Sequence, residues 1–193
     1  MPNVRARLFS AAQRVLLRGG PEALTSRAVT TEAGVAKGIL HRHFPDFDTF
    51  LASLVLARID MLDEHSAAMR ESAGTGTVQG NVTDALATAL DPYTLALVNL
   101  ALSRYALLDR LRLTTPTGIP LLQETTKMMA VYLTAERGLG RITVDTNVDR
   151  LAVILVGAAH VVQASLTGGN EKIENLIAQA LGEVIQEPNQ QSV

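Results

Sequence analysis

Apolar residues recur at helical spacing along almost the whole chain, and no alternating run bounded by hairpin dipeptides interrupts them. Val4, Leu8, Ala11, Ala12 and Val15 predict a first helix, closed by Gly19, Gly20 and Pro21. Val29 and Ala33, four apart, predict a short helix that Thr25 or Ser26 caps and that Gly34 leaves through a left-handed turn. Val35 plugs that turn. Leu40 and Phe44 share one face of a second short helix over about 36–44, which Pro45 ends. Asp46 caps a long helix carrying Phe50, Leu51, Leu54, Val55 and Leu62 to about Glu71. Residues 72–81, with Gly74, Gly76 and Gly80, predict a loop. Asn81 or Thr83 then caps a short helix to Leu90, and Asp91 with Pro92 opens a single helix to about Leu111.

After a linker over 114–120, a helix over 121–138 offers Met128, Met129, Tyr132 and Leu133 to a core and ends at Gly138, Leu139 and Gly140. Residues 147–165 are apolar nearly all round, which predicts a helix buried on more than one side. Gly168 and Gly169 turn the chain into a last helix. Its stripe of Ile173, Leu176, Ile177, Ala180, Leu181 and Val184 is regular enough to need a partner. The pattern predicts an all-α chain of about nine helices. Composition agrees: 47% of residues are hydrophobic and only 4% aromatic, so the core is built from Ala, Leu and Val, which suits packed helices and argues against disorder.

The stretch 25–44 has a particular shape: a short helix, a tight turn and a second short helix. That is a helix-turn-helix, which sets its second helix in the DNA major groove. The faces fit the purpose. Val29, Leu40 and Phe44 point inward while Lys37, His41, Arg42 and His43 occupy the remaining face. Charge is distributed accordingly: residues 1–50 hold seven Lys or Arg against four Asp or Glu, and residues 51–193 hold ten against fifteen.

Several residues in this stretch also agree in order with the TetR family of bacterial transcription regulators, which the segment resembles. They are Thr25, Arg27, Ala33, Gly34, Val35, Lys37, Gly38, Leu40, His43, Phe44 and Pro45, and the motif spans about residues 3–55. The chain departs from that pattern at Ala36, Ile39 and His41, where a capping group, a small hydroxyl residue and a Tyr are usual. It departs again at Phe47, where a Lys commonly reaches a phosphate.

The resemblance implies a three-helix DNA-binding domain over 1–46, a helical ligand-binding and dimerisation domain over 47–187, and a flexible tail over 188–193. It also implies a homodimer made through the last two helices. The expected DNA-facing residues are Thr25, Ser26, Arg27, Ala36, Lys37, Gly38, Ile39, His41, Arg42 and His43. Lys37 suits guanine O6 and N7, Arg27 a base or phosphate, and Thr25, Ser26, His41 and His43 phosphates. Thr25 serves equally as a helix cap. For the body, Tyr93, Asn99, Tyr105, Met128, Tyr132, His160 and Gln163 are candidates to line a pocket for a small, mostly apolar ligand. His160 reads first as a hydrogen-bonded core histidine and second as a ligand contact.

Other chemistries are disfavoured. Cys is absent, so thiol catalysis, disulfides and thiolate metal sites are excluded, which fits a cytoplasmic protein. His41 and His43, two apart on a helix, diverge too far to share a metal. Residues 74–80 match neither a Rossmann nor a P-loop pattern. Arg14 and Arg18 interrupt any signal-peptide core, and no apolar run reaches the ~20 residues of a membrane span. No Ser/His/Asp set or paired acids stand out, so neither an enzyme nor a cofactor is expected. The expected function is ligand-responsive, sequence-specific binding of double-stranded operator DNA, repressor in kind. The alternative, motivated by Ile39 and Phe47, is a helical dimer that has lost DNA binding and acts as a ligand sequestrant or interaction module.

Overall fold

The computed structural model describes residues 4–164, 170–182 and 184–185. Ten helices make up the described chain: α1 (Val4–Ala23), α2 (Ser26–Glu32), α3 (Ile39–His43), α4 (Phe47–Glu71), α5 (Val78–Ala89), α6 (Pro92–Ser103), α7 (Tyr105–Leu111), α8 (Leu122–Gly138), α9 (Val148–Ala164) and α10 (Asn170–Gly182). The one β-type pairing among the described residues is a single bridge between Ile142 and Ile185.

The chain forms two compact units. Unit 1 joins Met1–Ile59 to Pro92–Leu121, and unit 2 joins Asp60–Asp91 to Leu122–Val193. In unit 1, α1 packs on α2 and α6, α2 on α3, and α6 on α7. Its core holds Leu8, Ala12, Leu16, Leu24, Val29, Leu40, Phe50, Leu51, Leu97 and Val98, all essentially solvent-free. In unit 2, α8 packs on α9 and α5, and α10 on α5 and α9. Val82, Leu86, Met129, Leu133, Leu155, Ile177 and Leu181 are buried there.

Several boundaries follow the expected signals. Gly20 leaves the helical region at φ 70, and Pro21–Ala23 add one further turn to α1. The Asp46 carboxylate accepts from Thr49 N at 2.6 Å at the start of α4. The Asn147 side chain accepts from Arg150 N at 3.0 Å at the start of α9.

Outside the segment 25–44, three elements differ from expectation. The single helix over 91–111 is two, because Arg104 is extended (φ −127, ψ 100) and breaks it into α6 and α7. Its guanidinium donates to the Leu24 carbonyl at 3.1 Å and lies 5.8 Å from the Phe47 ring centre, tertiary contacts that override local propensity. The helix over 78–89 starts earlier than Asn81 or Thr83 would place it. Thr77 is its cap, accepting from Gly80 N at 3.0 Å, and Val78 and Val82 are buried. Helix α9, expected to be buried on more than one side, is buried along the stripe of Val148, Leu151, Ala152, Leu155, Val156 and Ala159, while Val153, Ile154 and Val161 are 60%, 47% and 63% exposed. The turn at Gly168 and Gly169, the side chain of Ile173 and the tail from 188 lie outside the described residues.

Candidate nucleic-acid interface and ligand cleft

In unit 1, α2 and α3 are held by local chemistry that the sequence specifies. The Thr25 Oγ1 accepts from Ala28 N at 3.1 Å and caps α2. Gly34, at φ 63, closes it: Gly34 N donates to Thr31 O and Val35 N to Thr30 O, both at 3.0 Å. These paired bonds are the Schellman ending, which needs a left-handed residue at this point. Arg7 of α1 donates to the Ala33 carbonyl at 2.8 Å, adding a cation to the carbonyl end of α2. Arg14 and Arg18 grip the Glu32 carboxylate at 2.7 and 3.0 Å. Those two guanidiniums, Arg14 foremost, hold the Glu32 carboxyl below the ordinary glutamate range. Helices α1 and α2 are thus tied by three arginines.

Helix α3 is shorter than expected. Residues 36–38 form a turn, with Ile39 N donating to Ala36 O at 2.9 Å, and the helix proper has five residues. Neither Ala36 nor Gly38 offers a side-chain oxygen to cap an earlier start. Leu40 and Phe44 anchor α3 inward, at 0% and 3% exposure. Phe44 stands edge-on to Phe50 at 5.1 Å, Phe9 stacks on Phe44 at 6.2 Å, and Phe47 stacks on Phe50 at 5.7 Å. Arg5 covers the rings of Phe9 and Phe44 at 5.5 and 5.2 Å. Phe47, where a phosphate-reaching Lys is common, is therefore part of an aromatic cluster.

The anticipated DNA-facing residues sort by environment. Arg27, Ala36, Lys37, Gly38, His41, Arg42 and His43 are exposed, and Ile39 is half-buried. Thr25 is exposed, with its oxygen engaged as a cap. Ser26 is turned inward: its Oγ is buried and meets no partner, whereas a phosphate ligand must be open to solvent. The side chains of Arg27, Lys37, His41, Arg42 and His43 make no hydrogen bond or ion pair among the described residues. Glu32, the one acid of 26–43, is already neutralised by two arginines. Gly38 has a φ of −73, and a Cβ there would meet nothing within 4 Å, so nothing in the fold demands a glycine. As a whole, unit 1 carries eleven Lys or Arg against five Asp or Glu, and unit 2 six against fourteen. That separation is sharper than any cut at residue 50 reveals, since residues 92–121 fold with the head.

In unit 2 a cleft of about 230 Å³ opens between α4, α5 and α8. His65, Met69 and Ser72 line it from α4 and its end, Asn81, Asp84, Ala85, Thr88 and Ala89 from α5, and Met128 from α8. Behind Asn81 lies a buried polar network. Asn81 Nδ2 donates to the Tyr132 hydroxyl and to Thr75 O, each at 2.9 Å. The Tyr132 hydroxyl donates to Glu136 Oε1 at 2.5 Å. Glu136, with no exposed surface, also receives Gly74 N at 3.3 Å and pairs with Arg141 at 3.2 Å. Arg141 donates onward to Gly76 O at 2.7 Å. Burial and the Glu136 carboxylate push the Tyr132 phenol well above its usual value, so it stays a donor. The network pins the turn 72–77 to α8.

Of the residues anticipated for a pocket, Met128 lines this cleft and Tyr132 lies one hydrogen bond behind it. His160 and Gln163 sit half-buried on α9, and the His160 Nδ1 is buried with no partner. Tyr93, Asn99 and Tyr105 belong to unit 1, with Tyr105 78% exposed. Four of the seven thus lie in unit 2 and three in unit 1. Sequence reasoning missed His65, Asp84, Glu136 and Arg141. The i, i+4 spacing of Tyr132 and Glu136 was the available signal for the network. Among the described residues no group of three or more His, Asp or Glu could hold a metal ion, and no single helix is long and apolar enough to cross a membrane.

Comparison with known proteins agrees with this architecture. Residues 8–53 match the model for bacterial regulatory proteins of the tetR family. No curated protein matches the chain. Among solved structures, a TetR-family transcriptional regulator from Mesorhizobium loti is 17% identical, with 95% of this chain and 97% of that one covered and a TM-score of 0.69. The reduced form of NemR from E. coli is 15% identical, with 97% and 100% covered and a TM-score of 0.73. A transcriptional regulator from Saccharomonospora viridis in complex with choline is 14% identical, with 95% and 98% covered and a TM-score of 0.72. Residues 8–53 thus match the tetR-family regulatory proteins in sequence, and the chain as a whole has the fold of TetR-family transcriptional regulators.

Proposed function

We propose that the protein is a homodimeric transcription regulator, a repressor in kind, that binds operator DNA through α2 and α3 and releases it when a small molecule occupies unit 2. The observation that carries this reading is the uncommitted cationic face of 27–43. The side chains of Arg27, Lys37, His41, Arg42 and His43 are exposed and meet no partner among the described residues, while the arginines of α1 are spent on internal contacts. Lys37 suits guanine O6 and N7, and Arg27 a base or phosphate. His41, Arg42 and His43 fix register on phosphates. Gly38, open around its missing Cβ, admits a close phosphate backbone.

The exposed apolar stripe of Val153, Ile154 and Val161 on α9 supports pairing with a second copy. Gly157 within that stripe leaves the helix surface flat, since a Cβ there would meet nothing within 4 Å. A dimer must hold its two α3 helices ~34–36 Å apart to meet successive major grooves. A ligand that binds unit 2 more tightly in another dimer geometry changes that spacing and weakens DNA binding; only such differential affinity can do so. The Saccharomonospora viridis neighbour, a complex with choline, is an instance of this fold holding a small molecule.

The test is Lys37→Ala against an operator duplex. The variant is expected to keep the wild-type melting temperature and lose about 1–3 kcal/mol of specific binding. Unchanged operator affinity contradicts the role given to α3.

A further inference from the structure

The cleft of unit 2 is rich in acceptors and poor in donors. Asp84 lines it as a carboxylate with no hydrogen bond or ion pair among the described residues. Both N–H groups of Asn81 are spent on Thr75 O and Tyr132, and the Thr75 carbonyl fixes the amide that way round. Asn81 therefore offers an incoming molecule only its carbonyl oxygen. Ser72 is in the same position, since its hydroxyl proton goes to Met69 O at 2.7 Å. No Lys or Arg lines the cleft. Exposed His65 brings a ring N–H, and Met69 and Met128 supply adaptable apolar surface.

The surroundings carry the same sign. Residues 60–91 hold six Asp or Glu against Arg70 alone, and unit 2 as a whole holds fourteen acids against six bases. A cleft inside such a field concentrates cations and repels anions. A carboxylate ligand would face Asp84 with no Lys or Arg lining the cleft to offset it, and a neutral one gains nothing from that charge.

We infer that this cleft receives a small organic cation, its ammonium head on Asp84 and its short apolar body on Met69 and Met128. The inference rests on the reading of unit 2 as the sensing body. It names the ligand class that this body takes.

Three probes of matched shape test it on the full chain without DNA: 3-phenylpropylammonium, 3-phenylpropanol and 3-phenylpropanoate, titrated by calorimetry. The ammonium is expected to bind about tenfold more tightly than either of the others. Asp84→Asn should bring it to within about twofold of the alcohol, while Asp84→Glu retains the preference. Asp145→Asn removes a charge of unit 2 outside the cleft and should leave the preference in place. Asp84 is exposed, so its variants are expected to fold, and equal melting temperatures check this. The inference is overturned if the alcohol or the carboxylate binds as tightly, if Asp84→Asn leaves the ammonium unaffected, or if the ammonium does not bind at about 10 mM. DNA binding is measured separately, so failure here leaves the role of α3 standing, and failure of that role leaves these titrations readable.

Discussion

Replacing Arg141 by Met should destabilise the protein by about 2 kcal/mol, through the fully buried carboxylate of Glu136. Met keeps an unbranched apolar stem like that of Arg141 and removes the guanidinium. Lost are the 3.2 Å contact to Glu136 and the 2.7 Å bond to the Gly76 carbonyl. Stripping one partner from a buried ion pair costs about 3–5 kcal/mol, because the other charge stays buried. Two facts lower the figure here: the Arg141 side chain is 24% exposed, and Glu136 keeps the Tyr132 hydroxyl and Gly74 N as donors. For a chain of this size about 2 kcal/mol lowers the melting temperature by roughly 4–8 °C.

A double-mutant cycle isolates the pair. Glu136→Gln removes the charge and keeps an acceptor for Tyr132, so Arg141→Met on that background should cost about 1 kcal/mol less than alone. Thermal and urea unfolding at one fixed protein concentration read all four proteins, since self-association makes stability concentration-dependent. A loss below about 0.5 kcal/mol for Arg141→Met, or strict additivity in the cycle, refutes the view that this pair holds the turn 72–77 to α8.

Three further outcomes follow from the structure. Gly34→Ala places a Cβ at φ 63 and should cost about 1–2 kcal/mol in melting experiments; a neutral effect contradicts the Schellman ending of α2. Because Arg14 and Arg18 hold the Glu32 carboxyl below its usual range, their contribution is present above the ordinary glutamate value and lost as the pH falls through the lowered one. The melting advantage of wild type over Glu32→Gln should therefore shrink with acidification, and a constant difference contradicts the assignment. Gly157→Leu, on the exposed stripe of α9, should shift sedimentation from dimer to monomer, and an undiminished dimer removes α9 from the interface.

Features written in local chemistry are legible in the sequence itself. Thr25, Gly34 and Asp46 carry their meaning in one or two bonds to nearby backbone, and Pro45 in the N–H it lacks, so the ends they mark are found where the sequence puts them. The break at Arg104 is hidden because no Gly or Pro marks it; contacts to Leu24 and Phe47, far away in the chain, hold that residue extended. Asn81 has a residue type that suits a cap, whereas its amide is claimed by Thr75 and Tyr132. The charge asymmetry is visible only in part, since the basic unit is completed by Arg104, Arg110 and Arg112 from beyond residue 91. The pocket candidates are polar or soft residues on apolar helices, a criterion that carries no information on which helices meet. Asp84 and His65 gather in the cleft by tertiary packing alone.

Specific, salt-dependent DNA binding by the face of α2 and α3 is the central claim, and one selection tests it most directly. Duplexes drawn from the DNA flanking the protein's own gene are incubated with the full chain at two salt concentrations, and the bound ones are sequenced. The account predicts enrichment of a palindromic site, bound tightly at low salt and lost steeply as salt rises, because phosphate contacts release counterions. Weak binding, equal on all sequences, contradicts it.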